Sequence, residues 1–189
     1  MQHLGAWSRQ DEAQRLENPV WHIHNGNPPS DLSPISFALL LNLASAASAE
    51  TTAQMWGFIG RYVEGATPDS HPMLDRLAGF AVQYFQDFVK PTKAYREPTD
   101  MERAAMEDLL ARLEALPADE KDGETIQNEV YAAGKSQDFE NLRDWFKGLY
   151  EVLLGQSQGP RFGSFVAIYG VPETIALIRD GLDGKLVRG

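Results

Sequence analysis

Apolar residues recur along this chain at the i, i+3, i+4 spacing of amphipathic helices, and no segment alternates with a period of two. The clearest case runs from Pro72 to Val89, before Pro91 ends it. Its apolar side comprises Leu74, Leu77, Ala78, Ala81, Val82, Phe85, Phe88 and Val89. The pattern predicts an all-helical protein.

Local signals place the helix ends. Ser33 before Pro34 is typical of a helix start, and the run Thr99–Glu102 has the form of a capping box. Gly134 and Gly155 follow apolar runs and are predicted to end helices. Helices are expected over residues 35–49, 52–63, 72–89, 100–116, 124–133, 138–153, 162–169 and 172–182. About eight helices joined by short turns predict an all-α bundle or cage of helix hairpins.

The domain organisation is read from composition. Residues 1–18 are polar and expected to be irregular, and residues 19–189 are expected to form the helical domain. A sub-boundary is possible near residues 97–123, because the acidic, glycine-containing piece 118–124 is the best candidate for a mobile loop.

Bulk composition excludes several classes. The 189 residues are enough for a sizeable core, and no apolar run of about eighteen residues predicts a membrane span. The absence of cysteine excludes disulfides and thiolate zinc sites. Together with an N-terminus that lacks the pattern of a secretion signal, this favours a cytoplasmic protein.

The formal net charge of −10 argues against indiscriminate binding to nucleic acid, and DNA is not expected as a partner. Two segments are nevertheless locally basic. One contains Lys90, Lys93 and Arg96, and the other contains Arg143, Lys147 and Arg161. An acidic protein can carry a focused basic site of this kind.

The first basic segment surrounds a helix-breaking proline. Lys90, Lys93 and Arg96 interleave with Tyr95 beside Pro91, which suits phosphate contacts and base stacking on RNA. The alternative is a solvated helix end whose cations complement the C-terminal dipole. Both interpretations remain open from the residues alone.

The second candidate is a polar loop between two apolar segments. Gln156, Gln158 and Arg161 lie between Gly155 and the apolar run from Phe162, with Lys147 nearby in sequence. Amide and guanidinium groups can read exposed base edges by paired hydrogen bonds. The aromatic and leucine residues of the preceding helix are more simply interpreted as core.

Catalytic and metal chemistry has little support. His22 and His24 would need further ligands, such as His3, His71 or carboxylates, to hold a metal, and a turn at Asn25-Gly26 explains them better. Gly155–Gly159 has the pattern Gly-x-Ser-x-Gly, but it follows a predicted helix and not the strand that a nucleophile elbow needs, and it lacks the Gly-Lys-Ser/Thr ending of a phosphate-binding loop. A hydrolase that uses His22 or His24 is a remote alternative, and we expect neither a catalytic residue nor a metal site.

Four blocks of the chain, Pro34–Leu43, Asp87–Arg96, Ile126–Tyr131 and Trp145–Phe165, closely resemble the C-terminal part of class I lysyl-tRNA synthetases. The resemblance runs from about Pro19 to about Leu182. It implies an α-helical, cage-like anticodon-binding domain and, as partner, lysine tRNA. The expected tRNA-binding residues, assigned from chemistry and motif position, are Lys90, Lys93, Tyr95, Arg96, Lys147, Gln156, Gln158 and Arg161.

The chain departs from the whole synthetase. Neither the His-Ile-Gly-His-type nor the Lys-Met-Ser-Lys-Ser-type motif of the family's catalytic domain is present. The resemblance therefore implies a second partner, a catalytic domain outside this chain, which would bind the ATP and magnesium. No cofactor and no activation of lysine are expected of this chain alone. A truncated paralogue acting as a helical protein-interaction module, with an acidic face for a basic partner, is the alternative.

Overall fold

The computed structural model describes residues 10–19 and 33–188, and these residues form helices and turns without a β-strand. The all-α prediction is confirmed. The α-helices within the described ranges are α1 (Glu12–Glu17), α2 (Phe37–Ala46), α3 (Thr52–Tyr62), α4 (Pro72–Tyr84), α5 (Asp100–Glu114), α6 (Gly123–Lys135), α7 (Leu142–Leu154), α8 (Phe162–Tyr169), α9 (Val171–Leu182) and α10 (Lys185–Arg188). A π-helical turn, Phe85–Val89, and a 3₁₀ turn, Lys90–Thr92, follow α4.

Side-chain caps determine where the helices begin. The predicted capping box is confirmed, because Thr99 Oγ1 accepts from the Glu102 amide and the Glu102 carboxylate accepts from the Thr99 amide. Helix α2 begins later than predicted, since Ser36 is its N-cap and Ser33 instead bonds the Ile35 backbone. Helix α7 likewise begins after Asn141, whose side chain accepts from the Arg143 amide.

The prediction that Gly134 ends a helix was wrong. Helix α6 continues through Lys135 and has Ser136 as its C-cap. Gly134 is small for a packing reason, because a Cβ there would lie 2.3 Å from Trp145 Cδ1. The buried indole packs into this gap and donates from Nε1 to the Val130 carbonyl at 2.9 Å.

The end of α4 also differs from the uniform helix that the periodicity predicts. The α-helical pattern stops at Tyr84, and the π-helical turn that follows changes the angular spacing of the side chains. Phe85 stays in the core, whereas Phe88, which was expected on the apolar side, is 61% exposed. The 3₁₀ turn then carries the chain through Pro91 into the loop that begins at Lys93.

Helix α8 lies at the centre of the core. It packs against α6, α2, α3 and α9, and its Phe162 and Phe165 are buried. Buried residues before and after the possible boundary at 97–123, such as Phe85 and Val130, belong to one hydrophobic cluster. The division into domains remains a prediction, and residues 1–9 of the segment expected to be irregular lie outside the described ranges.

Part of the segment that was expected to be irregular is helical. Asp11 and Gln14 form a capping box at the start of α1, and this satisfies backbone amides that would otherwise be unpaired. The helix has six residues, none of them buried. The capping box therefore accounts for where this helix begins.

Helices α8 and α9 follow each other in the chain with a sharp bend between them. Among the residues that the structure describes, no single helix is long and apolar enough to cross a membrane. This pair meets the length and composition criteria only when its two helices, which are bent by 112°, are taken together.

Candidate nucleic-acid interface

The two loops that the sequence singled out lie side by side. The Ala94 amide donates to the Gly155 carbonyl at 3.0 Å, which joins the segment after the 3₁₀ turn to the end of α7. Gly155 has a φ of 65°, and a Cβ there would lie 3.2 Å from Ala94 N. The left-handed conformation and the close approach therefore both favour glycine at this position.

A groove of about 580 Å³ opens between these loops. Its lining consists of Thr92, Ala94, Tyr95, Arg96, Glu151, Gly155, Gln156 and Ser157. Three of the predicted tRNA-binding residues thus line one groove, and their position on a rigid helical support suits recognition of a ligand.

Lys93 and Tyr95 form a compact pair beside the groove. Lys93 Nζ donates to the Ser45 carbonyl at 2.9 Å and to the Tyr95 hydroxyl at 2.6 Å. The ammonium also lies 5.0 Å from the Tyr95 ring centroid and 5.4 Å from that of Phe85. Burial lowers the pKa of Lys93 to about 8 and raises the pKa of Tyr95. The cation at this site therefore titrates close to physiological pH.

Arg96 is bound by two carboxylates. Its terminal nitrogens donate to both Glu102 oxygens at 2.7 and 2.6 Å, and Nε donates to Glu151 at 2.7 Å. The hydrogen bond with Glu102 is the main cause of the raised pKa of Arg96. Burial raises the pKa of Glu102, but hydrogen bonds from Arg96 and Thr99 outweigh it, so the net shift is downward. Arg96 thereby ties the loop to α5 and α7.

Lys147 adds a second cation to this network, with its Nζ 3.6 Å from Glu151 Oε1. It is exposed on α7, one turn before the glutamate. The Glu151 carboxylate therefore lies between two of the predicted RNA-binding cations and offsets part of their charge. Whether either cation contacts phosphate stays a prediction.

The remaining predicted residues differ in how accessible they are. Gln156 Nε2 donates to Ser45 Oγ at 3.2 Å, whereas Gln158 is exposed and has no side-chain hydrogen bond within the described ranges. Arg161 and Lys90 are exposed, and each lies 4.0 Å from a carboxylate, that of Glu124 for Arg161 and that of Glu50 for Lys90. Of these four residues, Gln158, Arg161 and Lys90 are therefore the more accessible donors.

Sequence reasoning missed a polar floor under the loop of residues 155–161. Asn42 and Ser45, one turn apart on the otherwise apolar α2, are only 5% and 0% exposed. Tyr150 is buried, its pKa is raised by that burial, and its hydroxyl donates to the Pro160 carbonyl. Polar residues at i and i+3 in the apolar run 37–46 were the signal that could have revealed this floor.

Asn42 Nδ2 is buried and has no hydrogen-bond acceptor in the described part of the chain. An orphaned buried donor of this kind costs about 1–3 kcal/mol. Buried polar groups in folded proteins are nearly always paired, so this one points to a function or to a partner that completes it.

The expectation that the chain holds no metal stays a prediction. Among the described residues no group of three or more histidines or acidic side chains could hold a metal ion, and His22 and His24 lie outside those residues.

Comparisons with known proteins show what the chain is similar to. It is 54% identical over 186 residues to a lysine–tRNA ligase of Roseobacter denitrificans, covering 98% of this chain and 35% of the ligase. Lysine–tRNA ligases of Rickettsia felis and Rickettsia bellii are 44% and 45% identical over 94% and 92% of the chain, which again covers 33% of each ligase. No family model and no solved structure matches.

Nearly the whole chain is thus homologous to part of an aminoacyl-tRNA synthetase. The synthetases that it matches are lysine–tRNA ligases, which confirms the resemblance drawn from the four sequence blocks. The chain spans about one third of the length of these relatives.

Proposed function

We propose that this chain is the anticodon-binding portion of a class I lysyl-tRNA synthetase. It positions lysine tRNA, in the cytoplasm, for ATP-dependent aminoacylation by a catalytic domain outside this chain. The single observation that carries the proposal is 54% identity to a lysine–tRNA ligase across 98% of the chain. The groove between the two loops supplies a site of suitable chemistry.

The lysine and tyrosine side of the groove suits the RNA backbone and an unstacked base. Lys90 is exposed on the 3₁₀ turn, and Lys93 is fixed against Tyr95 by a 2.6 Å hydrogen bond. Fixed cations neutralise phosphates, and an aromatic face accepts a base from a single-stranded loop. Arg96 lines the groove, and Lys147 pairs with the lining residue Glu151, so both add positive charge beside the groove.

The loop after α7 suits recognition of base edges. Gln158 and Arg161 present amide and guanidinium donors to solvent, and Gln156 lines the groove. Such groups form paired hydrogen bonds with the edges of unpaired bases, and this is how RNA loops are read in sequence-specific complexes. The acidic remainder of the chain disfavours non-specific RNA binding, which leaves the loops to determine the contact.

Replacing Arg161 with alanine tests the proposal. If Arg161 reads a base, the affinity for lysine tRNA falls by about 1–3 kcal/mol. Arg179→Ala is the matched control, because Arg179 is also exposed and pairs with one carboxylate, Glu114, on another part of the surface. Unchanged affinity in the Arg161 variant, or an equal loss in both variants, would remove Arg161 from the site.

The dependence on salt separates RNA binding from the protein-interaction alternative. Binding of lysine tRNA should weaken steeply as salt rises. Binding releases counterions from the RNA, and this release becomes less favourable at a higher salt concentration. A chain that binds no tRNA at low salt, but binds a basic protein, would support the adaptor alternative.

A further inference from the structure

We propose that the side-chain amide of Asn42 is an additional base-reading contact, which an anticodon base reaches when the loop of residues 157–160 lifts away from α2 and α7. This inference rests on the proposed function. Asn42 is buried in the free chain and would contact the RNA in the complex.

The loop covers the amide directly. A Cβ placed on Gly159 would lie 2.4 Å from Asn42 Nδ2 and 2.2 Å from Tyr150 Cε1, so the glycine backbone rests on both side chains. The amide therefore points at the underside of the loop, in the direction from which a ligand would arrive if the loop moved. Only glycine permits this close covering.

Few bonds hold the loop in place. Ser157, Gln158 and Gly159 are exposed. Gln156 is attached to the floor by its side chain, which donates to Ser45, and by its amide, which donates to the Tyr150 carbonyl at 3.1 Å, whereas residues 157–160 are attached by the bond from Tyr150 to Pro160. Lifting residues 157–160 breaks only this last bond. Gly155 lies two residues before the segment and Gly159 lies within it, and glycines tolerate the backbone rotations that such a movement needs.

The orphaned donor favours this movement. With the loop down, Asn42 Nδ2 is buried without an acceptor, although most buried polar groups are paired. Raising the loop exposes the amide to water or to a ligand, and this recovers the missing hydrogen bond. In the free chain, the unpaired Asn42 donor therefore offsets part of the free-energy cost of raising the loop.

The chemistry of the amide matches a base edge. Nδ2 donates to a carbonyl oxygen or ring nitrogen, and Oδ1 accepts from an amino or imino group, so one asparagine can contact a base with two hydrogen bonds. Ser45 and Tyr150 add hydroxyl groups to the same floor. A phosphate offers acceptors only and would leave Oδ1 without a donor.

The test uses Asn42→Leu, which preserves the size of the side chain and removes the amide. Its affinity for lysine tRNA and for an anticodon-changed lysine tRNA is compared with that of the wild type at fixed salt. We expect about a tenfold loss with lysine tRNA, equal to about 1.4 kcal/mol, and little change with the anticodon-changed RNA. Asn128→Leu, at an exposed position of α6, is the control for the same chemical change.

The thermal midpoint of Asn42→Leu is measured without RNA. We expect it to equal or exceed that of the wild type, because the substitution removes an unpaired buried donor. Unchanged tRNA affinity in Asn42→Leu overturns the inference, and so does an equal loss with both RNAs. If the wild type itself does not distinguish the two RNAs, the proposed function fails instead.

A second variant keeps the inference testable if Asn42→Leu does not fold. Gly159→Ala forces the loop off the floor, because its Cβ would overlap Asn42 and Tyr150. If binding requires the raised loop, this variant binds lysine tRNA at least as tightly as the wild type. A severalfold loss of affinity would show that the lowered loop is the binding form, and would overturn the inference.

Discussion

Replacing Arg96 with methionine removes the guanidinium that holds the loop beginning at Lys93 to α5 and α7. Its partner Glu102 has a side chain only 8% exposed, whereas Arg96 itself is 36% exposed. Breaking a fully buried ion pair costs about 3–5 kcal/mol. Water reaches Arg96, and Glu102 keeps its 2.8 Å bond from the Thr99 amide, so we expect a smaller loss of about 2 kcal/mol.

The assay is unfolding without RNA, by urea and by heat, at neutral pH. A loss of about 2 kcal/mol corresponds to a thermal midpoint lower by about 4–8 °C for a chain of this size. Arg76→Met is the matched control, because Arg76 is exposed on α4 and has no ion pair among the described residues. A double-mutant cycle with Glu102→Gln isolates the pair from the loss of packing.

Lowering the pH gives an independent check on the same pair. The pKa of Glu102 is lowered in the folded chain, so its stabilising contribution is present above the usual pKa of a glutamate and is lost as the pH falls through the lowered value. The difference between wild type and Arg96→Met should therefore shrink in acid. An equal midpoint for the two proteins at neutral pH, or a difference that grows in acid, would refute the reasoning.

Two further predictions concern the same groove. Because the pKa of Lys93 is about 8, its positive charge is lost as the pH rises through that value. Affinity for lysine tRNA should therefore fall between about pH 7 and 9. The variant Lys93→Arg should remove this dependence on pH. Gly155→Ala forces an alanine into a φ of 65° and should lower the free energy of unfolding by about 1–2 kcal/mol. Gly57→Ala, at an exposed helical position with nothing within 4 Å of the added Cβ, should instead be neutral or stabilising by about 0.5–1 kcal/mol.

Each of these predictions has a clear contrary result. An affinity that is flat across the pH range, or the same decline in Lys93→Arg, would mean that the Lys93 ammonium does not contribute to binding. Equal stability of the Gly155 and Gly57 variants in urea would mean that the loop does not depend on the left-handed conformation at Gly155.

The helices could be predicted from the sequence because their signals are local. The capping box at Thr99 and the left-handed end at Gly155 involve neighbouring residues, and the 3.6-residue period needs only one turn of chain. Prediction failed where a side chain that is distant in the sequence determines the local structure. Gly134 looks like a helix end until Trp145, eleven positions later, is seen to pack against it.

Individual residues of the candidate site were identified from the sequence, but their contacts with one another were not. Lys93 and Gln156 were each identified, but their shared contact with Ser45 depends on how three separate segments pack together. The ion network of Arg96 was not foreseen, because Glu102 was recognised only as part of a helix cap. Asn42 was overlooked because it lies in a run that reads as core.

The most direct test of the central claim is to measure binding of this chain to lysine tRNA and to the same tRNA with a changed anticodon, at one fixed salt concentration. The account predicts that the changed anticodon weakens binding by at least tenfold, since loop bases are read by hydrogen bonds that a wrong base cannot make. Equal affinity for the two RNAs would contradict the assignment of this chain as an anticodon reader.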